Sequence, residues 1–207
     1  MFTGIITEIG AVVRLRPGGV ARLEISAPRT AGGLKTGGSV AVNGACLTAV
    51  EVSPEGFAAE AMSETLEKTN LGRLGPGSPV NLESPLKLGD VLDGHLVLGH
   101  VDDRARLVER RSDGVLVLEL ADAALARFLA PKGSAALDGV SLTVIGTEGC
   151  RFTVGLIPHT EKTTTLGALP LGWELNLEVD VLARYLEGLV GTHKGVDRDF
   201  LAEHGFL

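Results

Sequence analysis

Residues 42–50 read VNGACLTAV and residues 137–145 read LDGVSLTVI, so one phrase occurs twice, 95 positions apart. The offset holds without a gap from Gly4/Gly99 to Glu83/Glu178, and 25 of the 80 paired positions are identical. Solenoid repeats recur every ~20–50 residues, so a period this long means a duplicated domain. Whatever one half folds into, the other must fold into as well. The differences between the copies then mark where they have diverged in chemistry. The sharpest difference within the phrase sets Cys46 against Ser141.

Each half contains short alternating segments such as VARLEIS, SVAVNG and PVNLE, separated by RPGG, NG, SPEG and LGPGS. That spacing fits a small barrel or sandwich of short strands. Asn43-Gly44 and Asp138-Gly139 are turn dipeptides, because Asn, Asp and Gly tolerate positive φ. Beyond each turn the period of two points Leu47 and Ala49, like Leu142 and Val144, toward a core. Cys46 and Thr48, like Ser141 and Thr143, point the other way and leave that face small and polar. The stretch LESPLKLGDVLDG (82–94) reads as a linker. DVLARYLEGLV has no partner in the first half and spaces Val181, Leu182, Tyr185, Leu186, Leu189 and Val190 along one helical stripe. The expected divisions are 1–95, 96–180 and 181–207, the last a helix and tail that Gly188 and Gly191 would keep short.

A formal charge of -7 with no Lys/Arg block lacks the footprint needed to neutralise phosphate backbones, which excludes nucleic acid. MFTGIITEIG has no basic leader, and no stretch approaches the ~20 apolar residues of a membrane span, so no membrane is expected and the cytoplasm is the expected location. Cys46 and Cys150 fall at unrelated places in the two copies, which argues for reduced thiols. His95 and His100 are five apart, a spacing that places them on opposite faces of a strand, and no other Cys/His cluster completes a metal set. His100 and Asp102 share a face, an arrangement that orients an imidazole for acid–base work. Thr163, Thr164 and Thr165, with Thr65, Thr69 and Thr160 in register, offer hydroxyls suited to a polyol or a heterocyclic amide edge.

MFTGI, NGACLT, ETLEKTNLG, GHLVLGHVD, KGSAALDGVSLTV, LIPHT and TTLG together resemble the riboflavin synthase family, whose chains pair two lumazine-binding barrels. The resemblance covers essentially the whole chain. It implies an all-β fold of two homologous small Greek-key-like β-barrels in tandem plus a C-terminal α-helix. It also implies a dismutation in which two molecules of 6,7-dimethyl-8-ribityllumazine exchange a four-carbon unit, giving riboflavin and 5-amino-6-ribitylamino-pyrimidinedione without metal or cofactor. The implied partners are two substrate molecules, two further copies of the chain in a homotrimer gathered by the C-terminal helices, and lumazine synthase. The same double barrel also resembles non-catalytic lumazine or flavin carriers.

By the same resemblance, a first pocket takes Gly4, Ile5, Ile6, Cys46, Leu47 and Thr48, with Glu60, Ala61, Met62, Ser63, Glu64 and Thr65. A second takes His100, Val101, Asp102, Lys132, Ser141, Leu142 and Thr143, with Ile157, Pro158, His159, Thr160, Glu161 and Lys162. Cys46, Ser39, His100 and Asp180 are the expected catalytic groups. Leu98 stands where the family usually has a small hydroxyl residue. Duplication makes chemical sense for such a reaction: twin reactants need twin pockets, and unequal pockets tell donor from acceptor.

Overall fold

The computed structural model describes residues 1–191, so the tail expected over 192–207 lies outside the described residues. The first half forms β1 (Glu8–Arg16), β2 (Val20–Ser26), β3 (Ser39–Val42), β4 (Ala45–Ser53), β5 (Gly56–Met62) and β6 (Pro79–Glu83). The second forms β7 (Asp103–Arg110), β8 (Val115–Leu120), β9 (Ser134–Leu137), β10 (Val140–Glu148), β11 (Arg151–Gly155) and β12 (Glu174–Val179). Each set closes into a six-stranded antiparallel barrel with the same circular order, β1-β2-β5-β4-β3-β6 and its counterpart. Even the register breaks are duplicated. β1 slips between Val12 and Arg14 and β7 between Leu107 and Glu109, each against the following strand. A bulge bends its strand, and the repeated bulges supply curvature that closure needs.

Alternation predicted from sequence is realised on β4 and β10. Leu47, Ala49, Leu142 and Val144 are buried in two separate cores, one per barrel, while Cys46, Thr48 and Thr143 are exposed. Three short helices not expected from the strand pattern, α1 (Pro28–Ala31), α2 (Ser63–Lys68) and α3 (Pro158–Thr163), lie inside the halves, and the expected C-terminal helix, α4 (Val181–Gly191), follows. α2 carries a Glu64–Lys68 ion pair at 2.7 Å across one turn, and α3 starts with Pro158 where a missing N–H costs nothing. α4 runs through Gly188 without a break, contrary to the interruption expected there.

The barrels meet back to back around a pseudo-twofold axis. Asn43 (φ 44°) and Gly44 (φ 76°) form one hairpin turn, Asp138 (φ 45°) and Gly139 (φ 78°) the other. The two turns touch so closely that a Cβ on Gly44 would lie 2.6 Å from the Gly139 nitrogen. Around them sits a buried polar cluster. The Asn70 side-chain amide donates to Asp138 Oδ1 (2.8 Å), Asn176 N–H donates to the same oxygen (2.8 Å), and Asn81 N–H donates to Asn43 Oδ1 (2.8 Å). Asn176 and Asn81 reach across with their amides to the Asn43 and Asp138 carbonyls. Phe2, Val97, Ala41 and Ala136 add an apolar cluster to this shared interior.

Asp138 and its counterpart Asn43 break the symmetry. Burial pushes the Asp138 carboxyl up to about 7, against the opposing effect of its bonds from Asn176 and Asn70. A carboxyl raised in the folded state contributes stability below the usual carboxylate range, and that contribution is lost as pH rises through about 7. Asp138→Asn, which copies the first half, should therefore raise the melting temperature at pH 8 by a few degrees. It should also shrink the difference between pH 5 and pH 8. Thermal unfolding monitored at both pH values checks this; an unchanged pH slope would contradict it.

Candidate functional site

Before each barrel begins, a short segment crosses to the other one. The Cys46 N–H donates to the Gly99 carbonyl (3.0 Å) and the Ser141 N–H to the Gly4 carbonyl (2.8 Å). The two segments also pair with each other through Phe2 and Val97. The grouping expected from sequence is thereby exchanged: Gly4, Ile5 and Ile6 lie at the second barrel with Ser141, and His100 and Val101 lie at the first with Cys46. Ile6 packs against the second core and Val101 against the first. Close approach demands glycine at both crossings. A Cβ on Gly99 (φ +82°) would sit 2.5 Å from Cys46 Cβ, and one on Gly4 (φ +78°) would sit 2.6 Å from Ser141 Cβ.

Two buried carboxylates hold these segments. Glu83, ending β6, accepts from the Thr3 N–H (2.6 Å), the Thr3 hydroxyl (2.7 Å) and the Gly4 N–H (2.9 Å). Glu178 on β12 accepts from the N–H groups of Leu98, Gly99 and His100 at 2.6, 2.9 and 3.0 Å. Burial raises both carboxyls, Glu178 to about 7. Leu98 has no hydroxyl to match that of Thr3, and the neighbouring Asp102 charge pushes Glu178 further up.

At the first barrel a cavity of about 230 Å³ is lined by residues that include Cys46, Glu64, Thr65, Lys68, His100 and Val101. Its floor is β4, whose Thr48 pairs across to Ser39 on β3. Ser39 is half-buried beside that polar face, while Leu47 belongs to the core beneath it. Glu60 and Met62 are exposed at the end of β5, Ala61 between them is buried, and Ser63 opens α2. Between α3 of the second barrel and the start of the first, Ile6, His159 and Thr163 line a cavity of about 500 Å³ together with Thr7, Glu8, Ile9 and Arg29. Ile157, Pro158, Glu161 and Lys162 are exposed around α3, with Thr160 half-buried. Leu142 is core, and Thr143 pairs with Ser134 as Thr48 does with Ser39. Lys132 adopts φ 68° where its counterpart is Gly37 at φ 84°. A bulky residue held in the left-handed region marks a position where the side chain is worth its backbone strain.

Several expected roles change in the structure. Asp102 does not orient His100: it accepts from the Val179 N–H (2.8 Å) and pairs with Arg184, pinning α4 to the barrel. Asp180, expected as a catalytic group, also accepts from the Leu182 N–H (2.9 Å) and so caps α4. The hydroxyls of Thr69, Thr163 and Thr164 are spent on carbonyls four residues back, which withdraws them from the threonine set. His95 and His100 are not on opposite faces of one strand, because residues 95–100 are irregular apart from a single bridge at Val97. His100 is exposed, whereas His95 is buried with Nδ1 2.7 Å from Ser141 Oγ. In the sequence His95 stands out only through its spacing from His100. The irregular segment around it gave no periodicity from which to place its ring. Among the described residues, no group of three His, Cys, Asp or Glu could hold a metal ion, and no helix is long and apolar enough to cross a membrane.

The lumazine binding domain family matches the chain twice, over residues 3–85 and 98–180. A riboflavin synthase of Mycobacterium bovis is 46% identical over 198 residues, covering 92% of this chain and 98% of its own. The chain belongs to the riboflavin synthase family. The enzyme of that name from Brucella abortus is 44% identical over 94% of this chain and the whole of its own. That of Bacillus subtilis is 35% identical over the full length of both. Among solved structures, LumP complexed with riboflavin matches with a TM-score of 0.78 at 22% identity, covering 86% of this chain and 99% of its own. LumP complexed with 6,7-dimethyl-8-(1'-D-ribityl) lumazine gives 0.76. Both share the double-barrel fold.

The exchanged segment predicts a steric test. Gly99→Ala places a Cβ against Cys46 at a left-handed φ and should cost about 1–3 kcal/mol of stability. Gly75→Ala, where a Cβ meets nothing within 4 Å, is the control. Urea unfolding distinguishes them, and equal midpoints for the two variants would contradict the crossing.

Proposed function

We propose that this chain converts two molecules of 6,7-dimethyl-8-ribityllumazine into one riboflavin and one 5-amino-6-ribitylamino-pyrimidinedione, each barrel binding one molecule. The observation that carries this reading is the pair of matching crossings, in which the Cys46 N–H meets the Gly99 carbonyl at the first barrel and the Ser141 N–H meets the Gly4 carbonyl at the second. Binding both reactants turns a bimolecular encounter into a positioned one, worth up to ~7–11 kcal/mol of barrel-imposed order. One molecule loses a methyl proton to give a carbanion delocalised over its ring, and backbone N–H groups near the ring carbonyls stabilise that charge. The four-carbon unit then leaves one ring system and completes the third ring of the other. Cys46, Ser39, His100 and Asp180 remain the proposed reacting and proton-handling groups, with Gly4, Ile5, Ile6, Lys132 and Ser141 serving the second pocket and Val101 the first.

Met62 and Ile157 are exposed at matching positions just ahead of α2 and α3. We infer that a second chain covers each site and that the native state is a homotrimer. α4 supports this reading: Leu182, Tyr185, Leu186 and Val190 are all more than half exposed on it, although they form the apolar stripe. A carrier of the same fold is the rival reading, favoured by the likeness to the LumP complexes.

Incubation with 6,7-dimethyl-8-ribityllumazine alone separates the two. Riboflavin forming at one mole per two moles of lumazine consumed supports the enzyme; stable ligand fluorescence without conversion supports the carrier. Cys46→Ser should lower kcat about tenfold or more, roughly 1.4 kcal/mol of barrier, while leaving lumazine affinity within a few-fold. An unchanged kcat would remove Cys46 from the reacting groups.

A further inference from the structure

Ser141 differs from its counterpart Cys46 in more than its heteroatom. Its Oγ lies 2.7 Å from Nδ1 of His95, a normal hydrogen-bond distance. Among the described residues Cys46 Sγ has no side-chain hydrogen bond, and its thiol is exposed. The His95 ring is well seated for this contact. The His95 backbone N–H donates to the Thr3 carbonyl (3.1 Å), Thr3 is clamped by Glu83, and the adjacent Gly4 carbonyl holds the Ser141 backbone N–H. The backbones that carry ring and hydroxyl are thus both anchored to the same crossed segment. His95 Nε2 is buried and has no partner among the described residues, an arrangement costly to keep without use.

We propose that His95 is a positioning residue of the second site, fixing the Ser141 hydroxyl so that only one side of its oxygen faces the bound heterocycle. A free serine hydroxyl rotates to suit any neighbour. Tied to His95, Ser141 presents a single directed group, whereas Cys46 in the first pocket presents an untethered thiol. The inequality between the pockets that the dismutation requires is therefore built in part from a residue the repeat does not duplicate as a motif. Burial holds the His95 imidazole below its ordinary range, with the Asp180 charge opposing. This inference rests on the proposed lumazine reaction.

The experiment is a double-mutant cycle with His95→Asn, Ser141→Ala and the pair, measuring kcat and KM with 6,7-dimethyl-8-ribityllumazine. His95→Asn should lower kcat about ten- to hundredfold with KM changed less than about threefold. Ser141→Ala should do the same from the other end of the bond, in a variant that only removes an oxygen. The double variant should be no slower than the slower single one, because residues acting as a unit are not additive. Multiplied losses in the double variant, or an unchanged kcat in Ser141→Ala, would overturn the proposal even if His95→Asn fails to fold. Should the wild-type protein release no riboflavin, the functional reading falls separately. The ring nitrogen NMR shifts of His95 would then still test the contact, which is overturned if Ser141→Ala leaves them unmoved.

Discussion

The structure depends on one contact: two glycine turns pressed back to back inside a buried ring of amides and one carboxyl. Gly44 against Gly139 leaves no space for side chains at the axis, and Asn43, Asn70, Asn81, Asp138 and Asn176 satisfy one another there. Buried polar groups are expensive unless every partner is in place, so this cluster accepts only one relative placement of the barrels. With the barrels locked, the segments ahead of β1 and β7 have fixed places to cross. Glu83 and Glu178 catch them by their N–H groups, and the crossing delivers Gly4 to Ser141 and Gly99 to Cys46. Geometry at the pockets is thus inherited from the interface behind them.

Symmetry sets up two pockets, and small departures from it make them unequal. Cys46 answers Ser141, Thr3 answers Leu98, Asn70 answers Thr165 and Gly37 answers Lys132. Each pair changes what can be donated or accepted. The Leu98 substitution removes a hydroxyl from the Glu178 clamp; the Thr165 substitution leaves a buried hydroxyl oxygen without a partner among the described residues, where Asn70 makes several bonds.

Much of this was legible in the chain. The 95-residue period gave the duplication, Asn43-Gly44 and Asp138-Gly139 gave the turns, and strict alternation separated Leu47 from Cys46 and Leu142 from Ser141. What alignment could not reveal was which barrel each crossing segment serves, because Gly4 aligns with Gly99 whether or not the segments exchange. Local helices α2 and α3 were hidden by their length, since six residues show no helical period. The threonine hydroxyls were visible as a set, yet three of them satisfy carbonyls of those helices. His95 escaped because its partner Ser141 is 46 positions away and no periodicity links them.

The central claim is that two pockets, made equivalent by duplication and unequal by a few residues, each hold one copy of the same molecule. Isothermal titration of the intact protein with riboflavin, itself a product of the proposed reaction and not turned over when supplied alone, tests it most directly. The account predicts two bound ligands per chain with different affinities, the tighter and weaker phases shifting separately in Ser141 and Cys46 variants. Saturation at one ligand per chain, with the second barrel silent at every concentration, would contradict it.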